Sequence, residues 1–311
     1  MGCATHCVFR DVIIQIISKA KIMKIVSAEY CRYTGLGNKL FPWARAKIFA
    51  RKNSEYKMLC PFWFSPHGGA ITRGGIDYAH ALRKIWLLGN FIKANDEISL
   101  IQYFLHCRNV PLRKFIWLKD ALPKEDSDHI VFAVRGNGME GHDFTEFKGE
   151  SEFLLRSLEC ITAPAQLKYV NKFSHCDYIG INIRCGNDFV EKDSGRNGFI
   201  KTRCEWFCNA LLKIRNLYGN LPAIVVSDGG YKQLASLLKE NNVILLNSKA
   251  AIADLLVLSR AKVLLASGSS SFSEWASFLG QMDTFSSVET PFIHGKGLEY
   301  GRNGEKKLEL F

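Results

Sequence analysis

Four short polar segments, residues 34–38, 182–188, 227–230 and 267–273, each follow an apolar run that is typical of a β-strand. Glycines and hydroxyl or amide side chains dominate these segments. In an open parallel sheet, ligands bind at the carboxyl ends of the strands. Because glycines let backbone amides approach a ligand and helix N-termini attract anions, the four segments together indicate one site for a phosphate-bearing ligand.

The second segment contains the side chain best suited to a diphosphate. Asn182 and Arg184 alternate with two isoleucines, so both polar side chains are expected on one face of the strand. A guanidinium there can bind a diphosphate through two parallel hydrogen bonds and stabilise the charge of a departing nucleotide. The alternative interpretation is a surface arginine paired with an aspartate.

The first and fourth segments are candidates for anion-binding turns before helices. Gly35 and Gly37 match the first two glycines of the dinucleotide-binding fingerprint, but Leu40 occupies the position of the third. The lysine of a Walker loop is also absent from this segment. A tight turn without a ligand is the alternative there. In the fourth segment, Ser271 and Glu274 have the spacing of a capping box, which accounts for only one of five serines. A hydroxyl-rich helix start is a suitable phosphate site.

Predicted strands and helices alternate along the chain, and this order places the four segments at strand ends. The short connections predict parallel sheets covered by helices on both faces. A break at residues 163–164 predicts a boundary within 165–175 and therefore two α/β halves. The predicted strands cover 25–31, 130–134, 178–183, 223–226, 243–246 and 262–266, and the predicted helices cover 40–49, 77–92, 97–107, 151–158, 203–218, 231–239, 251–259 and 271–280.

The composition is that of a folded protein with an affinity for anions. The 311 residues are 47% hydrophobic and 23% charged, which excludes a disordered chain. Of the net charge of +11, the first 60 residues carry +8, from eleven basic and three acidic residues. This charge suits nucleic acid, a membrane surface or phosphorylated small molecules. No Lys/Arg run or aromatic-basic repeat supports nucleic acid, so we expect no such partner.

The spacing of residues indicates neither a metal centre nor the nucleophile elbow of a hydrolase. The ten cysteines form no C-x-x-C pair, which favours reduced thiols in a cytosolic protein, and the histidines lack zinc-site spacing. Asp126 and Asp128 match the D-x-D of metal-dependent sugar transferases, but their charged neighbours favour a solvated loop. No Gly-x-Ser-x-Gly segment is present. We therefore expect no metal cofactor.

The first 22 residues are interpreted as an N-terminal extension. Their apolar run, residues 12–17, is too short for a membrane span and is bracketed by charges. A strand-like run follows Met23 at once, which makes Met23 a candidate natural start. A short basic amphipathic helix resting on a membrane surface is the alternative.

Taken in their order along the chain, the polar segments resemble motifs of the fucosyltransferase superfamily. The resemblance is closest to the bacterial α-1,2-fucosyltransferases of glycosyltransferase family 11. Residues 35–41 are similar to that family's GLGNQMF start, and residues 180–189 to its G-x-H-x-R-R-G-D-[YF] segment. Residues 226–228 match its V-S-D strand end, and the chain from Asp254 to residue 276 resembles its D-x-x-x-[ML]-S and NSTFSWWA block.

This sequence departs from the family pattern at several site positions. Asn182 replaces the family histidine, Cys185 replaces the second arginine, and Asn187 is an insertion before Asp188. Ser269 stands where the family has asparagine. The arginine that the superfamily uses on the donor diphosphate corresponds to Arg184, which is retained.

The resemblance implies an α/β, GT-B-like fold with two facing Rossmann-like domains and parallel sheets. Residues 23–165 would form the N-terminal domain on the acceptor side, and residues 166–311 the GDP-sugar-binding domain. It also implies a cytoplasmic, inverting, metal-independent transfer of L-fucose from GDP-fucose to a hydroxyl of an oligosaccharide or lipid-linked glycan. Such acceptors belong to bacterial O-antigen, capsule or surface polysaccharide synthesis, with peripheral contact to the inner membrane as an option.

The resemblance also suggests roles for individual residues. Arg184 and Asp188 are the catalytic candidates, Asp188 as a base with Glu29 as the other option. Asp228 and Asp254 are candidates for holding ribose or guanine, or for capping loops. The donor-binding candidates are Gly35, Gly37, Asn38, Asn182, Asp228, Asp254, Ser269, Ser270, Ser271 and Ser273.

Three alternatives remain at this stage. One is a related transferase with another GDP-sugar or linkage, which the residues at 182 and 185 favour. Another is a sugar-nucleotide-binding protein without catalysis. The third is a nucleic-acid or membrane-surface binder driven by the charge of +11.

Overall fold

A computed structural model describes residues 24–29, 35–59, 97–98, 129–133, 144–162, 164–186, 189–191, 194, 198–248, 250–268 and 270–287. The helices in these ranges are α1 (Leu36–Lys52), α2 (Ser151–Ile161), α3 (Pro164–Lys172), α4 (Cys204–Tyr218), α5 (Tyr231–Leu238), α6 (Ala251–Ser259) and α7 (Ser271–Gly280). The strands are β1 (Lys24–Glu29), β2 (Tyr56–Leu59), β3 (Glu97–Ile98), β4 (His129–Ala133), β5 (Ile179–Ile183), β6 (Phe189–Val190), β7 (Phe199–Ile200), β8 (Ala223–Ser227), β9 (Val243–Leu245), β10 (Val263–Ala266) and β11 (Asp283–Ser286).

The first half contains a four-stranded parallel sheet in the order β3-β2-β1-β4. The predicted strands over 25–31 and 130–134 are confirmed as β1 and β4. The predicted helix over 97–107 is wrong where it begins, because Glu97 and Ile98 pair with β2. Burial explains this difference: Ile98 lies in the core, and Glu97 forms a buried ion pair of 3.0 Å with Lys47 of α1.

The second half contains a five-stranded parallel sheet in the order β11-β10-β5-β8-β9. Its three inner strands, β10, β5 and β8, are almost continuously apolar and buried, as expected for strands covered on both faces. In both sheets the first strand in sequence is internal and the strand order reverses beside it, which is the Rossmann pattern. Strands β5, β8, β9 and β10 lie where strands were predicted, whereas β11 and the short β6–β7 pair were not predicted.

An aromatic cluster connects the two halves. Phe41 of α1 and Phe144 each lie 5.0 Å from the Trp275 ring of α7, measured between ring centroids. Phe147 and Phe278 complete the cluster, and all five side chains are buried. Because rings from both halves share one core, burial of apolar area holds the start of α1 against the start of α7.

The predicted division at residues 165–166 falls within α3, and the two-domain boundaries stay a prediction. Among the residues that the structure describes, no helix is long and apolar enough to cross a membrane. The N-terminal extension, the Asp126–Asp128 pair and the predicted helix over 77–92 lie outside the described residues.

Candidate functional site

The candidate site lies where the strand order of the second sheet reverses, between β5 and β10. The loops that leave these neighbouring strands are tied together at their carboxyl ends. The backbone N–H of Arg184 donates to Ser267 Oγ at 3.0 Å, and the backbone N–H of Ser267 donates to the carbonyl of Asn182 at 2.9 Å. A crevice at this reversal is where open α/β sheets bind ligands.

The serine-rich segment begins α7 and faces the end of β5. Ser270 is the N-cap of α7, and its hydroxyl accepts the N–H of Ser273 at 3.4 Å. The Ser273 hydroxyl in turn accepts a hydrogen bond from Asn182 Nδ2 at 2.7 Å, and both side chains are buried. The Asn182 amide therefore anchors α7 to β5.

The glycine turn of the first half meets α7 directly. Ser271 Oγ donates to Asn38 Oδ1 at 2.5 Å, across 233 residues of sequence. A Cβ on Gly37 would lie 2.6 Å from both the Phe272 nitrogen and Ser271 Oγ, so only glycine permits this approach. The N-termini of α1 and α7 therefore lie side by side, and their first-turn N–H groups and helix dipoles favour an anion there.

Arg184 brings a full positive charge to this region. Its Nη1 lies 2.7 Å from Asp228 Oδ2, and its guanidinium carbon lies 5.1 Å from the centre of the Phe189 ring. The arginine side chain is 22% exposed and that of the aspartate 15%, so solvent still reaches the pair. Arg184 thus has the acidic partner that the alternative interpretation of the sequence required, and it also lies at the strand reversal.

Asp254 lies near the end of β9, at the edge of the same sheet. Its Oδ1 accepts a hydrogen bond of 2.6 Å from Ser248, whose hydroxyl also accepts the N–H of Ala250 at 3.1 Å. Burial raises the pKa of the Asp254 carboxyl to about 6, and the bond from Ser248 opposes that shift. The carboxyl is therefore mostly ionised at neutral pH and can accept hydrogen bonds from a ligand.

The structure brings together most of the predicted site residues that it describes. Asn38 is bonded to Ser271 of α7, and the adjacent Ser270 is bonded to Ser273, which accepts a hydrogen bond from Asn182. Ser267 links Asn182 to Arg184, and Arg184 pairs with Asp228. Gly35 is exposed at the start of α1, and Asp254 lies apart, beside β9. Asp188, Ser269 and the side chain of Glu29 lie outside the described residues.

Sequence reasoning missed two contributors to the site. Ser267 was part of a predicted polar segment, and its place directly after β10 was a signal of its role. Ser248 precedes α6 and gave no such signal, since its partner Asp254 is identified only by the fold. Within the described ranges, no group of three or more His, Cys, Asp and Glu side chains is placed to hold a metal ion.

Comparisons with known proteins identify the fold. No protein-family model and no curated protein sequence matches the chain. The crystal structure of POFUT1 in complex with GDP matches with a TM-score of 0.50 and 10% identity, over 85% of this chain and 98% of that chain. The fucosyltransferase NodZ from Bradyrhizobium matches with a TM-score of 0.52 and 14% identity, over 82% of this chain and 93% of that chain. The predicted fold class is confirmed, and the chain has the GT-B-like α/β fold of these fucosyltransferases.

Proposed function

We propose that this chain is a glycosyltransferase that moves L-fucose from GDP-fucose to a hydroxyl of a glycan. One observation carries the proposal: Arg184 directly follows β5 at the strand reversal, where its backbone N–H is bonded to the loop that leads into α7. The shared fold supports it, because POFUT1, which has this fold, was solved with GDP. Membership of glycosyltransferase family 11 in particular is part of the proposal and rests on the sequence resemblance.

In the proposed reaction, the donor diphosphate lies among Arg184, the start of α7 and the start of α1. Negative charge grows on the β-phosphate as its bond to the sugar breaks. A fixed guanidinium and aligned backbone N–H groups stabilise that charge without having to reorganise. These groups supply the positive charge that the departing GDP needs, so the proposal includes no metal ion.

The acceptor hydroxyl attacks the anomeric carbon from the face opposite GDP, and the configuration inverts. A carboxylate that removes the hydroxyl proton would assist this attack. Asp188 and Glu29 remain the candidates for that base. Asp188 stands four residues after Arg184 in the sequence, and Glu29 is the last residue of β1.

We propose that Asp254 binds the guanine base. A guanine ring presents an N1–H and an amino group on one edge, and a carboxylate can accept hydrogen bonds from both. The Ser248 hydroxyl holds the carboxylate in place at 2.6 Å. Uracil has a single N–H donor on its corresponding edge, so this contact would favour GDP over UDP.

The acceptor is proposed to be an oligosaccharide or lipid-linked glycan of a bacterial surface polysaccharide. The basic first 60 residues could then contact the anionic cytoplasmic leaflet of the inner membrane. A related transferase with another GDP-sugar is the second candidate. It is favoured because the Asn182 amide binds Ser273, whereas the related family has histidine at this position.

The test is an Arg184→Ala variant, assayed for GDP binding and for release of GDP from GDP-fucose in the presence of EDTA. We expect the variant to fold normally, to lose transfer and to bind GDP more weakly, because the diphosphate loses its only proposed side-chain cation. Arg156→Ala is the matched control, since Arg156 is exposed on α2 and pairs with Glu152 one turn away. Full activity of Arg184→Ala would overturn the assignment.

A further inference from the structure

Both carboxylate oxygens of Asp228 contact the loop that follows β5. Oδ2 lies 2.7 Å from the guanidinium of Arg184, and Oδ1 accepts the backbone N–H of Cys185 at 2.6 Å. One aspartate at the end of β8 therefore binds the side chain of one residue and the backbone of the next. Of the roles expected for Asp228 from the sequence, these contacts correspond to capping a loop and not to holding ribose or guanine.

The surrounding contacts fix this aspartate against the β5 loop. The Ser227 hydroxyl donates to the carbonyl of Ile183 at 2.8 Å and accepts the N–H of Gly229 at 2.9 Å. A Cβ on Gly229 would lie only 2.7 Å from Cys185 Sγ, so the two loops are closely packed. Residues on both sides of Asp228 are thus attached to the strand end that carries Arg184.

The consequence for Arg184 is a defined orientation. A guanidinium is planar and has five N–H donors, more than one carboxylate can use. Asp228 holds it at Nη1, and the Phe189 ring lies near its guanidinium carbon. A cation that is fixed before the ligand arrives binds a diphosphate with less loss of side-chain entropy.

We propose that Asp228 is a positioning residue, which acts on the donor diphosphate through Arg184 and does not touch the nucleotide. This inference rests on the proposed function. Two opposing effects decide whether removing the Asp228 carboxylate weakens or strengthens GDP binding. Removing the carboxylate takes a negative charge away from the diphosphate, which favours binding, but it also releases the guanidinium and the Cys185 N–H. We expect the second effect to dominate, since two hydrogen-bonded groups lose their partner.

The experiment is a double-mutant cycle with calorimetric titration of GDP and of guanosine, which lacks phosphate. Asp228→Ala should weaken GDP binding about tenfold, within the range of coupling between contacting residues. It should leave guanosine binding unchanged, and it should have no further effect in an Arg184→Ala background. Asp177→Ala is the control, because Asp177 pairs with Lys262 at the opposite, amino end of the same sheet.

Each other outcome contradicts the proposal in its own way. Weaker guanosine binding, or additive effects with Arg184→Ala, would show that Asp228 touches the nucleotide itself. Tighter GDP binding by Asp228→Ala would show that the main effect of the Asp228 carboxylate is to repel the diphosphate. If wild-type protein bound no GDP, the proposed function would fail and this inference with it. Asp228→Asn keeps an acceptor for the Cys185 N–H, so it replaces the alanine variant in the cycle if that variant does not fold.

Discussion

Gly37→Ala tests whether the close approach of α1 and α7 forms the site. The new methyl group would lie 2.6 Å from the backbone nitrogen of Phe272 and 2.8 Å from the carbonyl carbon of Ser271. These are backbone atoms at the start of a helix, so a side-chain rotation cannot relieve the clash. The start of α7 must move away from α1, and the hydrogen bond between Ser271 and Asn38 must lengthen.

The magnitude follows from three contributions. Overpacking of this kind costs about 1–3 kcal/mol, and loss of the Ser271–Asn38 hydrogen bond costs about 1 kcal/mol. Replacing glycine by alanine within a helix returns roughly 0.5–1 kcal/mol. We therefore expect a net loss of about 1–3 kcal/mol in the free energy of unfolding, together with weaker GDP binding, because both helix N-termini are displaced.

The assay is urea unfolding together with GDP titration, and Gly35→Ala is the matched control for stability. A Cβ at Gly35 would meet nothing within 4 Å, and its φ of −67° suits alanine. The control should therefore unfold within about 0.5 kcal/mol of wild type. If Gly37→Ala were as stable as the control and bound GDP like wild type, the described contact between the two helices would be wrong.

Two further predictions concern the proposed guanine-binding role of Asp254 and the core between the halves. Because burial raises the pKa of Asp254 to about 6, guanosine affinity should fall as pH falls through 6; Asp254→Asn should abolish that step in a pH series, and an unchanged step would exclude this carboxyl. Trp275→Ala removes a fully buried ring that touches Phe41 and Phe144, so it should lower the free energy of unfolding by about 3–5 kcal/mol in urea titrations. A loss below about 1 kcal/mol would contradict the shared core.

The contribution of Asp254 to the free energy of unfolding also depends on pH, and the sign of this dependence is defined. The pKa of Asp254 in the folded chain lies above its ordinary value of 3.8. The folded state therefore binds this proton more tightly than the unfolded state does. The resulting contribution to stability is complete below the ordinary value and is lost as pH rises through about 6. At neutral pH the carboxylate thus costs stability, which is consistent with a residue kept for binding.

Long apolar runs made much of the second half predictable. The bounds predicted for α6 and α7 are those observed, because each helix follows a clear strand or turn signal. Shorter elements escaped prediction, since the two residues of β3 show no periodicity at all. Pro164 was interpreted as a break, whereas it opens α3, a position where proline's missing N–H costs nothing.

The site was predictable as separate loops but not as an arrangement. The topology rule placed the polar segments at strand ends, and the structure confirms this for Arg184 and Asp228. The contact between Asn38 and Ser271 joins residues from different halves, and packing of the shared core, including the aromatic cluster, brings them together. Local sequence carries no information about such a contact. The particular partners of Asp228 were equally hidden, because they are identified only by the order of strands β5 and β8.

The central claim is that the strand reversal binds a GDP-sugar without a metal ion. The most direct measurement is a calorimetric titration of the wild-type chain with GDP, GDP-fucose, GDP-mannose and UDP, with EDTA present throughout. We predict selective micromolar binding of GDP and GDP-fucose. Equal binding of UDP, or no binding of any nucleotide in EDTA, would contradict this proposal. The polar loops would then be ordinary turns without a ligand-binding role.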